Sequence, residues 1–402
     1  MKFIVIGITD NPQPQFSAEL REIIRKGKVF SGGKRHHEIV APLLPEAAVW
    51  IDITAPLEAV FDRYKILDSN FNSQIIVFAS GDPLFFGFAN TIRRKMPEAE
   101  IKLYPFFNTL QMLAHRLVMP YHDTHIVSLT GRPWNEFDHA LIEGKSKIGV
   151  LTDGEHTPAI IASRMLRYGY TCYRMHIGEH LGNPNKERVT TVSLEEAAQG
   201  EFSSPNCLIL TGSHQRRFGI PDGEFALLDH RERMITKMPI RLLTLQALDL
   251  PQRRVLWDIG FCTGSVSIEA RLQFPHLHIE AFEIRPEGQQ LMEVNSRRFG
   301  APGIEVHIGD FLATDISSLP SPDAVFIGGH GGQLKEIMRR VVKSQESRVE
   351  SREACCIVMN SVNMVSRQLW DEACAELGLQ QEPPLRFQVN DYNPIEILKC
   401  RT

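Results

Sequence analysis

Short apolar runs alternate with amphipathic stretches along almost the whole chain, and this rhythm limits the folds open to it. Runs at 3–8, 74–79, 126–129, 147–151 and 207–210 lack the polar alternation of a one-faced sheet and read as strands covered on both sides. Between them, 16–26, 56–67 and 158–168 carry helical spacing. The expectation is α/β layers with largely parallel sheets. A second series follows, with strands at 255–259, 278–282, 304–308, 324–327 and 356–359 and a last one at 396–400. Single cores stop growing near ~250–300 residues, so a chain of 402 residues calls for two domains. Residues 213–233 are polar and carry Gly219, Pro221 and Gly223, which marks a linker. The expected division is 1–212, 213–233 and 234–402, with Pro105 as a join between two lobes of the first part. The polar, mixed-charge stretch 343–353 reads as a solvated helix end or mobile loop.

Charge and cysteine usage narrow the function classes. Net charge is −4 with histidines neutral, which gives no global pull toward nucleic acid. No apolar run approaches the ~20 residues needed to cross a bilayer, and residues 1–7 read as a first strand rather than a signal peptide. The seven cysteines form no Cys-x-x-Cys pair. That argues for a reduced cytoplasm, with neither a disulfide framework nor a metal site.

The sharpest local signal is LWDIGFCTGSVSIEA at 256–270: a strand, a glycine turn and a helix. Gly260 and Gly264 permit close approach of backbone to a ligand. The first helical amides, from Ser265 on, then face it. Glu283 ends the next strand ~20 residues on, where a carboxylate accepts two ribose hydroxyls. Asp310 ends the third strand, within reach of an adenine. A dinucleotide site is the rival, but it wants Gly-x-Gly-x-x-Gly, and Cys262 and Ser265 stand where its later glycines belong. Asp258 would repel a pyrophosphate and suits the α-ammonium of S-adenosyl-L-methionine. Beyond the fourth strand, GGHGG at 328–332 offers backbone amides of Gly328 and Gly329 to a carboxylate.

In the first part, VFASGDPLFFG at 77–87 follows an apolar strand, with Gly81, Asp82 and Pro83 turning the chain opposite Gly7. GGKRHH (32–37), VSLTGR (127–132), VLTDG (150–154) and GEHLG (178–182) keep it company. Gly-Asp-Pro alone is only a turn signal.

Residues 234–402 resemble the C-terminal, decarboxylating domain of the precorrin-6Y C(5,15)-methyltransferase family. The resemblance rests on Thr236-Lys237, Ile240-Arg241, WDIG (257–260), GSVSIEA (264–270) and PDAVFIGG (322–329). It departs at Cys262, where the family usually has glycine, and at 343–353. Residues 1–212 resemble that family's other half, of the tetrapyrrole methylase superfamily. Departures there are GITDNP at 7–12, PFFNT at 105–109, and Thr130 in place of a histidine. The resemblance implies two α/β lobes with a methyl-donor cleft in the first part and a Rossmann-like methyltransferase in the second. It also implies self-association. It maps Gly7, Gly81, Asp82, Pro83, Thr109, Thr152 and Asp153 onto donor-binding segments. The substrate implied is a precorrin or cobalt-precorrin, methylated at carbon 5 by the first part, and methylated at carbon 15 and decarboxylated at the ring-C acetate by the second.

A precorrin is a polyanion with an apolar centre, so local cations are wanted. Lys34, Arg35, His36, His37 and Arg132 are candidates in the first part, and Lys237, Arg241 and His330 in the second; Arg bonds carboxylates with both arms of its fork. Among these, His330 and Arg241 are the candidate catalytic groups. Proximity can supply up to ~7–11 kcal/mol for a transfer to a ring carbon, and no Ser/His/Asp set or carboxylate pair points to hydrolysis. Two other readings stay open: a nicotinamide-dependent oxidoreductase, and a protein with only its C-terminal half active.

Overall fold

The computed structural model describes residues 1–68, 74–231, 233–345, 354–390 and 394–402. The first of three sheets holds β1 (Lys2–Ile8), β2 (Val29–Gly32), β3 (Val49–Asp52), β4 (Gln74–Ser80) and β5 (Glu100–Tyr104), in the order β3-β2-β4-β1-β5. Every pairing is parallel. Strand β1, KFIVIGI, is buried at each position after Lys2, and a strand apolar on both faces needs cover on both. Phe61 and Tyr64 supply it over Phe3, Val5 and Val77; Ile24 and Val40 supply it over Ile4, Ile6 and Phe78. The helix expected from residue 16 begins at Ala18, because Ser17 accepts the Leu20 N–H and caps it.

The second sheet holds β6 (His125–Ser128), β7 (Lys147–Leu151), β8 (Tyr173–Glu179), β9 (Arg188–Ser193) and β10 (Asn206–Gly212), in the order β6-β7-β10-β8-β9. Only β6 and β7 are parallel; the other pairings are antiparallel. The expectation of largely parallel sheets does not hold here. Apolar runs record burial but not direction, and β8 turns back directly into β9.

The third sheet holds β11 (Val255–Ile259), β12 (His278–Glu283), β13 (Ile304–Ile308), β14 (Ala324–Ile327), β15 (Cys356–Ser361), β16 (Gln380–Gln381), β17 (Leu385–Phe387) and β18 (Ile395–Arg401). The order is β13-β12-β11-β14-β15-β18-β16, with β17 also on β18. β11 to β15 are parallel, and β16 to β18 close the edge antiparallel. The chain runs outward from β11 through β12 to β13, then crosses back to β14. That reversal opens a crevice at the strands' carboxyl ends between β11 and β14, where open α/β sheets bind ligands.

By contacts the chain forms two compact units: 1–132, 146–163 and 173–212; and 133–145, 164–172 and 213–402. Within the second, the described residues of segment 213–233 form no loose tether. Ile220 and Phe225 are buried, and Gly219 and Ile220 donate their N–H groups to Glu269 at 2.8 and 3.1 Å. Of the polar stretch 343–353, residues 343–345 close helix Leu334–Gln345, and the rest lies outside the described residues. Among the described residues, no helix is long and apolar enough to cross a membrane.

Candidate active sites

In the first unit the ends of β1 and β4 and the chain after β5 meet backbone to backbone. A Cβ on Gly7 would fall 1.8 Å from the Gly81 carbonyl oxygen. Gly81 donates its N–H to Ile8 at 2.8 Å and accepts from Phe106 at 3.2 Å. Packing alone therefore requires Gly7. Over this junction lies a cavity of about 410 Å³, lined by Gly81, Thr109, Thr152 and Arg35 among the expected residues. Gly7, Asp82, Pro83 and Asp153 are not on its wall, and the structure gives two of them other work. Asp82 accepts the Leu84 N–H at 2.9 Å and closes a turn. Burial works against the charged Asp153, but N–H donors from Gly131, His156 and Glu155 outweigh it and hold its carboxyl at about 2. Arg132 lies outside this cavity as well. Its guanidinium sits over the Phe86 ring, 4.9 Å from the centroid, in a shallower hollow shared with Arg94.

The same wall holds residues to which the motifs gave no role. Asp10, after β1, faces Arg35 at 3.2 Å and His180 Nδ1 at 2.8 Å. Ser80 accepts from Arg35 at 2.9 Å and lies 3.0 Å from His36 Nε2. Asp10 was visible only as a polar residue inside GITDNP; its partners come from segments 25 and 170 residues away.

In the second unit a cavity of about 720 Å³ opens at the carboxyl ends of β11, β12 and β14. Gly260, Glu283, Asp310, Gly328, Gly329, His330 and Lys237 all line it. Gly260 has φ +79°, and a Cβ there would meet the Gly329 backbone at 2.7 Å. Here too glycine lets two loops touch. Glu283 accepts from the Cys262 N–H at 2.7 Å and from Arg285 Nη1 at 2.9 Å. Asp310 accepts the Leu312 N–H at 2.9 Å. His330 Nδ1 accepts from the Gly332 N–H at 3.1 Å, so in its neutral form the proton is on Nε2, 3.3 Å from Ser366 Oγ. Burial lowers its pKa, which makes His330 a hydrogen-bond donor rather than the cation expected from sequence.

Four expected residues do not line this cavity. Asp258 shares a face of β11 with Leu256, so strand alternation turns it under helix Ser265–Gln273 and away from the ligand side. It is fully buried, accepts from Ser267 Oγ at 2.5 Å, and leaves Oδ1 without a partner. Burial pushes its carboxyl up to about 7. Gly264 caps that helix at φ +74°, where a Cβ would strike Met292, and Ser265 is buried behind it. Arg241, expected to be catalytic, is fully buried. It donates to Glu269 at 3.2 Å, to the Thr236 carbonyl at 3.0 Å and to the Ile220 carbonyl. Its fork is spent on protein groups, so its work is structural. Conversely, Arg233, Arg285 and Asn360 line the cavity unanticipated. Asn360 had a signal, a polar residue at the end of the apolar run CIVM. Among the described residues, no group of three or more His, Cys, Asp or Glu is placed to hold a metal ion.

Comparison with known proteins places both halves. The profile described as Precorrin methyltransferase domain matches residues 228–399, and that of the Tetrapyrrole (Corrin/Porphyrin) Methylases matches 2–198. A Sinorhizobium sp protein named precorrin-6Y C(5,15)-methyltransferase [decarboxylating] is 32% identical over 348 residues, 85% of this chain and 82% of that one. A Salmonella typhimurium cobalt-precorrin-6B C(15)-methyltransferase (decarboxylating) is 40% identical over 104 residues, 26% of this chain and 53% of its own. The crystal structure of a Geobacter metallireducens precorrin-6y C5,15-methyltransferase aligns at 32% identity and TM-score 0.38, over 46% of this chain and 98% of that chain.

Proposed function

This chain belongs to the family of decarboxylating precorrin-6Y C(5,15)-methyltransferases, and we propose on that basis that its two cavities divide the work. The protein methylates a precorrin at ring carbons 5 and 15 and removes a carboxyl group as carbon dioxide. The nicotinamide reading of the Gly260 turn falls with that membership. The second cavity takes carbon 15 and the decarboxylation, and the first takes carbon 5. In support, a separate relative that matches 104 residues is named for carbon 15 and decarboxylation alone. The ring enters with or without cobalt, and copies of the chain self-associate.

The observation that carries the reading is the second cavity. Its 720 Å³ falls within the ~300–1,000 Å³ of small-molecule sites. On its wall Thr263 has a buried hydroxyl with no partner, which a ligand's polar atom would satisfy. When bound, S-adenosylmethionine supplies a methyl group activated by a sulfonium leaving group. Glu283 is fixed by three donors, the Cys262 N–H and the main-chain N–H and Nη1 of Arg285, and its remaining lone pair accepts a ribose hydroxyl. Asp310 faces the adenine. The Gly328 and Gly329 amides, expected from sequence to meet a carboxylate, instead donate to the Ile259 carbonyl at 2.8 and 3.4 Å, so the His330 and Gly331 amides, with Lys237 and the Nε2–H of His330, hold substrate carboxylates. In the first cavity, Gly81, Thr109 and Thr152 surround the donor, and Arg35, which already holds Asp10 and Ser80, presents its remaining N–H donors to a ring carboxylate. The protein's main contribution is to hold carbon and methyl in line.

The test is a calorimetric titration of S-adenosylhomocysteine into the full chain carrying Glu283→Gln. One of two sites should weaken about 10- to 100-fold, the ~1.5–3 kcal/mol of a charged hydrogen bond. Unchanged affinity at both sites refutes the donor assignment.

A further inference from the structure

Replacing hydrogen by methyl at a ring carbon sets an atom balance that the donor alone does not close. The carbon's π pair forms the new C–C bond, and the C–S pair stays on sulfur. To restore the ring, the C–H pair must return to it, and a proton must go to a base. We propose that in the first cavity this base is Asp10, held in place by His180. The inference rests on the reading of that cavity as the carbon-5 site.

The other groups on the wall are disqualified one by one. Among the described residues lining the cavity, Asp10 is the only carboxylate. His36 has both nitrogens engaged: Nδ1 accepts the Gly33 N–H at 3.3 Å, so Nε2 carries the proton and donates to Ser80 at 3.0 Å. Burial and then Arg35 push it down to about 4. Burial pushes the Cys207 thiol up to about 12. The remaining polar groups are hydroxyls, amides and the Arg35 guanidinium, none of them a base at neutral pH.

Asp10 is also fixed as a working carboxylate must be. His180 Nδ1 lies 2.8 Å from Oδ2, Arg35 Nη1 lies 3.2 Å from Oδ1, and Asn183 donates to the Asp10 main-chain oxygen at 3.2 Å. The Asp10 side chain is only 10% exposed. His180 reaches it from a left-handed backbone at φ +48°, strained for a residue with a Cβ. His180 is a positioning residue; Asp10 is the group that meets the substrate.

The experiment uses the full chain, precorrin-6Y with and without deuterium at carbon 5, and methyl-labelled S-adenosylmethionine, with mass spectrometry reading each methyl. Asp10→Asn should slow carbon-5 methylation 100-fold or more, within the ~10²–10⁴ of general-base catalysis. S-adenosylhomocysteine affinity should stay within about twofold, which is ordinary for a residue that does not hold the donor. Methylation at carbon 15 and carbon dioxide release should continue, which shows that the second unit is unaffected, while the retained S-adenosylhomocysteine affinity of the first cavity shows that the unit carrying Asp10 is folded. The carbon-5 isotope effect should rise as proton removal becomes limiting. His180→Phe should raise it too, with a slower kcat and little change in KM. Asp10→Asn at the wild-type rate, or with an unchanged isotope effect, overturns the proposal. If Asp10→Asn fails to fold, Asp10→Glu decides: its displaced carboxylate must raise the isotope effect, and a wild-type value overturns the role. A wild-type protein that methylates only carbon 15 refutes the reading of the cavity itself, and Asp10 with it.

Discussion

Asp258 shows how far one residue's meaning depends on the side of a strand it occupies. In sequence it stands beside a ligand-binding turn, and its charge suggests a counter-ion. In the structure it is fully buried beneath Ser267, and burial, with a smaller push from the Glu283 charge, raises its carboxyl from 3.8 to about 7. The folded state therefore keeps a proton that the unfolded chain releases. Between about pH 4 and 7 the folded form binds more protons, so its stability falls as pH rises through that window and levels off above it. Asn at this position has no such penalty. Asp258→Asn should match the wild type near pH 4 and exceed it at pH 8, by on the order of a few kcal/mol; thermal midpoints at the two pH values measure this. A constant gap would mean that Asp258 does not titrate in the folded protein. The alternation Leu256–Asp258 was legible, since period 2 already puts the two on one face. The burial of Arg241 was not, because its acceptors at Ile220, Thr236 and Glu269 come from separate segments.

The strands themselves were legible because β1, β4 and β11 are apolar at nearly every position, and only coverage on both faces explains that. Their direction was not, and the antiparallel second sheet is the result. What the pattern also hides is polar pairing across a sheet, and β12 and β13 hold an example. Glu280 accepts from His278 Nε2 at 2.6 Å and lies 2.5 Å from His307 Nε2, whose ring stacks on Phe282. The hydrogen bond to Glu280 raises the pKa of His278. Burial pushes Glu280 up, but the two histidines outweigh it and leave it lowered from 4.5. The His278 contribution is complete below its unfolded value and is lost as pH rises through the raised folded one. The Glu280 contribution is present above 4.5 and is lost as pH falls through the lowered folded value. This edge of the sheet is thus tightest between about pH 4.5 and 6.5. Glu280→Gln should flatten both limbs of the melting profile relative to wild type, and an unaltered profile would show that the pair contributes nothing across the sheet.

At the scale of the molecule, the boundary near residue 212 was legible as a drop in apolar content, but composition could not say to which side 213–233 is tied. The structure ties it to the second unit through buried polar groups. Glu269 is fully buried and accepts from the N–H groups of Gly219 and Ile220 as well as from Arg241. Arg241 in turn uses the Ile220 carbonyl, and Asn295, also buried, exchanges two hydrogen bonds with Ala226 at 2.7 and 3.0 Å. A fragment beginning at residue 234 keeps Glu269, Arg241 and Asn295 but removes these partners. Each buried group left unsatisfied costs about 1–3 kcal/mol, more where it is charged. It also bares the surfaces that Ile220 and Phe225 cover. The sum is several kcal/mol against a total stability of ~5–15 kcal/mol. Fragment 213–402 should therefore fold and bind S-adenosylhomocysteine, while 234–402 should melt ~10 °C or more lower, at ~2–4 °C per kcal/mol for chains of this size. The comparison isolates the strap, because both fragments lack 133–145 and 164–172, and with them the bond from Tyr170 to the Gly300 carbonyl. Equal midpoints would show that 213–233 is only a tether, and that Glu269 and Arg241 satisfy one another without it.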